Sequence, residues 1–385
     1  MSKLAFSEKE YQRRYLAIQE KVQDASVDAF LITDDANITY LVGVPATAAS
    51  GQAQAAVIFP NEDKPYFICR PIDQQGAMLT SYFDSDRLIS YPERLVSDAE
   101  QNGYDFILKF VKDRVGAGKI GMEFDALSLA VYRQATSYFG EKSLHDLSGV
   151  VNWIRFICSD EEAVVYRQAA QLVDIGMTTA VQVIKPGIRQ CDAAAEILSA
   201  MTKVTADFGG DWPSHPEIPA GERHLCPHLS WTDEVYPEQI QINCELGGWR
   251  HRYVSSLART ISVGPPTDGL RRVFEANLEG LETILPKIRT GVVCHDIWHL
   301  YNDTIGKHGY HKDSRCGYAL GIEWDGFTAS FADGDQTVLK ENMVMHVMIG
   351  LWVDHEQSCV LSETVRVTDQ GPEIFSSIPR EILRA

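Results

Sequence analysis

No apolar run in this 385-residue chain approaches the roughly 20 residues needed to cross a bilayer. The opening stretch, Met1-Ser2-Lys3-Leu4-Ala5-Phe6-Ser7-Glu8-Lys9-Glu10, lacks the apolar core of a secretion signal. Basic clusters are missing as well: 35 Lys and Arg stand against 53 Asp and Glu, a formal net charge of -18. That balance argues against nucleic acid or an anionic membrane as partner. The eight cysteines form no CxxC pair and sit in apolar or helical-looking stretches. They read as buried free thiols of a reducing cytoplasm rather than as a disulfide frame. Repeats, low-complexity tracts and basic tails are absent. What is present, 45% apolar and 23% charged residues, describes an ordinary globular chain with material for two or three domains.

Periodicity divides the chain into an α/β domain over residues 1–152 and an α+β domain over 153–385. In the first, residues 8–22 read as an amphipathic helix and 28–33 as a strand. Asp34-Asp35-Ala36-Asn37 reads as a turn. Residues 55–60 and 65–69 form a hairpin, followed by helices over 104–115 and 127–139 around a strand at 119–123. In the second, Ser159-Asp160-Glu161-Glu162 is an N-cap with acidic first-turn residues. Its helix runs to about residue 184 and stops at Lys185-Pro186-Gly187. Further helices follow Cys191-Asp192 and Thr267-Asp268, and another covers 295–308. Mostly antiparallel strands are expected over 239–244, 260–263, 344–348 and 362–368.

The last third carries the chemistry. Ile242-Asn243-Cys244-Glu245-Leu246-Gly247-Gly248, Ser256-Leu257-Ala258-Arg259-Thr260, Cys316-Gly317-Tyr318-Ala319-Leu320-Gly321, the segment Asn342-Met343 to Met348, and Leu361-Ser362-Glu363-Thr364 follow one another in a telling order. They resemble the metal-binding blocks of the creatinase/methionine aminopeptidase/aminopeptidase P superfamily, which has the pita-bread fold. Where metal-dependent members of that superfamily place Asp, Asp, His, Glu and Glu, this chain has Glu245, Ser256, Tyr318, Met348 and Glu363. Serine, tyrosine and methionine are poor donors to hard divalent ions. The resemblance therefore implies the metal-independent branch, with no cofactor, and within it ectoine hydrolase first and creatinase second. Gly209-Gly210-Asp211-Trp212-Pro213, Pro227-His228-Leu229-Ser230-Trp231 and Asp313-Ser314-Arg315-Cys316 are blocks of that kind.

Two glutamates without a metal make an anionic hole that suits a planar amidinium or guanidinium, which pairs with carboxylates through two parallel hydrogen bonds. By resemblance, His228 is the general acid/base, Glu245 the nucleophile or the base that activates water, and Glu363 the anchor of the substrate cation. Arg315, Tyr318, Asp211, Trp231, Arg252, Trp352 and Arg70 are the expected substrate contacts. Trp212, Trp231, Trp324 and Trp352 are candidates for the pocket wall. Arg259 is assigned a structural part beside Thr260. The implied reaction is hydrolysis of a C–N bond in a small zwitterionic amidine or guanidino acid, such as opening of ectoine to N-acetyl-diaminobutyrate. The implied assembly is a homodimer in which the N-terminal domain caps the partner's site. A catalytically silent binding module and a metal-dependent peptidase or lyase with unusual ligands remain the alternatives. Residues 44–53 depart from the aromatic-rich lid of ectoine hydrolases. His295 and His299 have ligand spacing on a helix, but no carboxylate sequel supports a zinc site and Asp296 points elsewhere on the wheel, so they read as a surface or interface pair.

Overall fold

The computed structural model describes residues 4–45, 52–96, 101–203, 205–211, 216–324, 328–353 and 357–385. Trp212, Pro213 and most of the 44–53 lid segment lie outside the described residues. The chain divides into two compact units, Met1–Arg155 and Phe156–Ala385.

The first unit runs α1 (Glu8–Asp24), β1 (Ala29–Ile32), α2 (Asp35–Val42), β2 (Ala55–Ile58), β3 (Tyr66–Cys69), α3 (Pro71–Thr80) and β4 (Leu88–Ser90). It continues with α4 (Gly103–Val115), β5 (Ile120–Met122), α5 (Leu129–Phe139), β6 (Leu144–Asp146) and α6 (Val150–Arg155), which contains the expected 152/153 boundary. Its six strands are ordered β4-β3-β2-β1-β5-β6. The β2–β3 hairpin pairs antiparallel, whereas β1–β5 and β5–β6 are parallel. The expected turn at 34–37 is instead a helix start. The Asp34 side chain accepts the Asn37 N–H, and the helix continues to Gly43 at φ 77°. Turns and N-caps use the same aspartate hydrogen bond; here the buried Ile38-Thr39-Tyr40-Leu41-Val42 run that follows decides for helix.

The second unit opens with α7 (Asp160–Val183) and α8 (Gln190–Lys203). The Ser159–Glu162 capping box that starts α7 is formed as the sequence reads. Then come β7 (Ile240–Arg250), β8 (Tyr253–Val263), α9 (Asp268–Ile284), α10 (Cys294–Gly306) and β9 (Tyr318–Ala319). The unit closes with β10 (Val344–Val353), β11 (Gln357–Arg366), β12 (Glu373–Ile374) and β13 (Leu383–Arg384). The sheet runs β13-β8-β11-β10-β9, with β7 on β8 and β12 on β11. This is the pita-bread arrangement: α7 and α8 cover the β7–β8 hairpin, and α9 and α10 cover β10–β11, each over its own apolar cluster. Gly248 shows how closely the layers approach, since a Cβ there would lie 2.0 Å from the Ala169 carbonyl of α7. The strands are about twice as long as expected. Glycines and serines inside β7 and β8 interrupt the apolar alternation without interrupting the ladder, which pairs Ile240 with Val263 through to Arg250 with Tyr253.

Candidate active site

A cavity of about 770 Å³ lies within the second unit. Strand alternation supplies much of its wall: Glu245 and Trp249 project from β7, and Met348, Gly350 and Trp352 from β10. The segment before β7 adds Glu217, Pro227 and His228; the segment leading into β9 adds Lys312, Ser314 and Arg315. Tyr318, Glu323 and Trp324 complete it.

Glu217 and Glu245 sit directly opposite each other. Each backbone N–H donates to the other's carbonyl, at 3.0 and 2.8 Å, so both side chains leave the same face. Burial pushes the Glu245 carboxyl up to about 8; the neighbouring Glu217 charge adds to the rise, and the Ser256 hydroxyl at 3.5 Å opposes it weakly. Burial raises Glu217 to about 7. Burial thus disposes both carboxyls to keep a proton near neutral pH.

Behind them runs a hydrogen-bonded chain. Trp324 Nε1 donates to the Tyr318 hydroxyl at 2.9 Å, which lies 3.0 Å from His346 Nδ1; His346 Nε2 lies 2.9 Å from Ser362 Oγ. With Trp324 donating, the phenolic proton points to Nδ1 and the imidazole proton to Ser362, a tautomer assigned from the network. Burial pushes His346 down to about 3, so it is neutral.

Of the residues expected from sequence, the cavity brings together His228, Glu245, Arg315, Tyr318 and Trp352, with Trp324 beside them. Arg315 lies 4.0 Å over the Tyr318 ring. The others stand elsewhere. Glu363, expected as the cation anchor, pairs with Val347 in register, one residue out of phase with Met348, and therefore faces away from the cavity. Its Oε1 accepts from Arg259 and Arg380, both at 2.9 Å. Asp211 accepts the Arg252 backbone N–H at 2.7 Å, and the Arg252 guanidinium forms an ion pair with Glu323. Trp231 packs on the apolar cluster under α7 and α8. Arg70, in the first unit, pairs with Glu93. Arg259 is fully buried and donates to the Pro379, Ala258, Ser362 and Ile378 carbonyls.

The first matching region covers residues 165–369, which fit metallopeptidase family M24, and residues 14–157 fit the creatinase/prolidase N-terminal domain. The chain is 38% identical over 380 residues to an uncharacterized hydrolase/peptidase of Sinorhizobium fredii, covering 98% of this chain and 97% of that protein. The chain belongs to the metallopeptidase family M24. It is 28% identical over 394 residues to the ectoine hydrolase of Halomonas elongata, with 98% of each covered. A prolidase structure from Thermococcus sibiricus matches with a TM-score of 0.86 at 20% identity, covering 99% of this chain and 100% of that one; that likeness shows the fold. As a member of M24 the protein is a hydrolase.

The donor set of this M24 chain does not fit a pair of divalent ions. Ser256 offers a neutral hydroxyl that already donates to Glu245, and the Tyr318 hydroxyl is engaged by Trp324 and His346. Met348 offers a thioether. Glu363 Oε2 is buried without a hydrogen-bond partner, a feature a cation would relieve, but two guanidiniums already balance that carboxylate. Hard divalent ions require several anionic oxygens or imidazoles at once; among the described residues the cavity's carboxylates are Glu217, Glu245 and Glu323, and Glu323 is already paired with Arg252.

Sequence reasoning missed Glu217, Lys312 and Glu323. Glu217 lies 28 residues before Glu245 in a Pro216-Glu217-Ile218-Pro219 stretch. A proline-bracketed residue paired to a strand by one bridge leaves no periodic trace. Asp333 was missed as well: its carboxylate lies 3.4 Å from both His295 Nδ1 and His299 Nε2. His295 Nδ1, however, accepts the Gly334 N–H at 2.9 Å, so its lone pair is committed to the backbone.

Proposed function

We propose that the protein is a metal-independent hydrolase that breaks a C–N bond in a small amidine-type acid, with ring opening of ectoine to N-acetyl-diaminobutyrate as its reaction. The observation that carries this reading is the Glu217–Glu245 pair, two backbone-bridged carboxyls that burial disposes to keep a proton, on a wall where a cation fits. An amidinium entering the cavity takes over the role of that proton, pairing with the carboxylates through parallel hydrogen bonds. Glu245 takes one proton from the attacking water as the new C–O bond forms at the amidine's central carbon. His228, exposed on the cavity rim, gives a proton to the departing nitrogen and recovers one from the new hydroxyl as it becomes the amide carbonyl. The proton left on Glu245 completes the product ammonium. One amidinium and one water thus become one amide and one ammonium.

The 28% identity to ectoine hydrolase over nearly the whole chain supports this choice of substrate. The test is to purify the protein, strip it with chelator, add ectoine and follow ring opening by proton NMR, with the metal content measured in parallel. Turnover that survives stripping supports the reading. Turnover lost on stripping and restored by a divalent ion overturns metal independence. Cleavage of Xaa-Pro dipeptides in place of ectoine would replace it with a peptidase reading. The homodimer expected from the resemblance belongs to the same proposal, and light scattering on the eluted protein tests it.

A further inference from the structure

Lys312 is 7% exposed, yet it lines the cavity. Its ammonium donates to the Gly350 carbonyl at 2.6 Å and lies 5.6 Å from the centre of the Trp352 ring. Among the described residues no carboxylate pairs with it. An ammonium carries three donors, so two are left for whatever occupies the cavity. The position is held firmly from the backbone side: Lys312 N–H donates to Asn302 Oδ1 at 2.8 Å, and Asn302 Nδ2 donates back to the Lys312 carbonyl at 3.2 Å. Gly350 has room for no side chain, since a Cβ would lie 2.2 Å from the Trp352 ring. The strand therefore shows the ammonium a bare carbonyl. A buried cation compensated only by a neutral acceptor is costly to keep, and such groups cluster at ligand sites.

The charges around the cavity agree. Glu323 is balanced by Arg252, and the Glu217–Glu245 pair carries one negative charge when it holds its proton. Burial lowers the Lys312 ammonium to about 8, which leaves it mostly charged at neutral pH. Lys312 thus offers an anionic group a charge that no described carboxylate takes.

We propose that Lys312, held in place by the Gly350 carbonyl and flanked by the Trp352 ring, presents its remaining ammonium donors as an anion subsite that takes a carboxylate of the cavity's small-molecule ligand. That this carboxylate belongs to the hydrolysed substrate rests on the proposed function; the subsite itself does not. Together with the acid pair it makes the cavity bipolar and selects amino-acid-like zwitterions over simple amidinium cations.

The test uses the full-length protein and sodium acetate as probe, at ionic strength held constant with sodium chloride, read by tryptophan fluorescence. Saturable binding is expected in the wild type and in Glu245→Gln, with Kd weakened about tenfold or more in Lys312→Met and by less than about threefold in Lys312→Arg. Equal Kd values for wild type and Lys312→Met, or no saturable signal in the wild type, overturn the subsite. A second measurement needs no variant: reductive methylation read by peptide mass spectrometry should label Lys312 more slowly with acetate present, and unchanged labelling also overturns it. Both readouts are independent of turnover. Acetate binding without ectoine hydrolysis leaves the subsite standing and sinks the proposed function; hydrolysis with no Lys312-dependent acetate binding does the reverse.

Discussion

Glu245→Gln should change how the protein's stability depends on pH as well as its turnover. The Glu245 carboxyl stands at about 8 and Glu217 at about 7 in the fold, against roughly 4.3 for a glutamate in an unfolded chain. A carboxyl raised in this way binds its proton more tightly folded than unfolded, so its contribution is full below pH ~4.3 and is lost as pH climbs towards the folded value. The wild type should therefore lose stability as pH rises from about 4.3 to about 8. Converting both shifts in full at ~1.36 kcal/mol per pH unit would overstate the loss, because both side chains face the cavity and its water and share one repulsion. Discounting the burial-driven shifts for that water leaves about 1–3 kcal/mol. In a unit of this size that is on the order of 2–10 °C in Tm. Replacing Glu245 removes its own titration and leaves the burial-driven rise of Glu217, so the variant's Tm should fall clearly less steeply over the same range. The assay is calorimetric melting at several pH values for both proteins, following the transition of the second unit. Glu123 and His346 also have shifted titrations, but they are common to both proteins and cancel in the difference. Parallel curves for wild type and Glu245→Gln would refute the raised Glu245 carboxyl, and with it the acid–base scheme.

Two further expectations separate chemistry from scaffold. Glu363→Ala strips a buried carboxylate from Arg259, which is fully buried, and from Arg380; leaving a buried guanidinium uncompensated should cost roughly 3–5 kcal/mol, read as a lower denaturation midpoint. His228→Ala should do the opposite. The side chain is exposed, so stability should move by less than about 0.5 kcal/mol, while ectoine turnover falls about 10²- to 10⁴-fold; a variant that keeps wild-type turnover removes His228 from the mechanism.

The contrast between Glu245 and Glu363 shows where sequence reading of this chain stops. Helix caps are local, and Ser159 with Glu162 announced α7 to the residue. The family blocks in the last third were legible because each is a contiguous run, and they led to the correct fold. Register is not local. Glu363 belongs to a recognisable block, but whether it meets the cavity depends on which residue of β10 it opposes, and a shift of one position reverses its face. Val347 rather than Met348 stands opposite it. The block survives, therefore, with its glutamate serving two arginines of the scaffold.

In the proposed reading the cation-anchoring carboxylate expected of Glu363 is supplied instead by Glu217, whose neighbours in sequence give no sign of it. That exchange changes what the cavity asks of a ligand. Two carboxylates anchored at separate points would keep a standing negative charge and attract any cation. Two carboxylates bridged through their own backbones can hold one proton and release it when an amidinium arrives. Lys312 adds a positive charge that never has a carboxylate of its own among the described residues. A simple cation would satisfy the acid pair and leave the lysine unmet; a simple acid would do the reverse. Only a molecule with both groups at the right separation relieves both ends, so selectivity for a zwitterion follows from two costs paid by the empty cavity rather than from the shape of a lid.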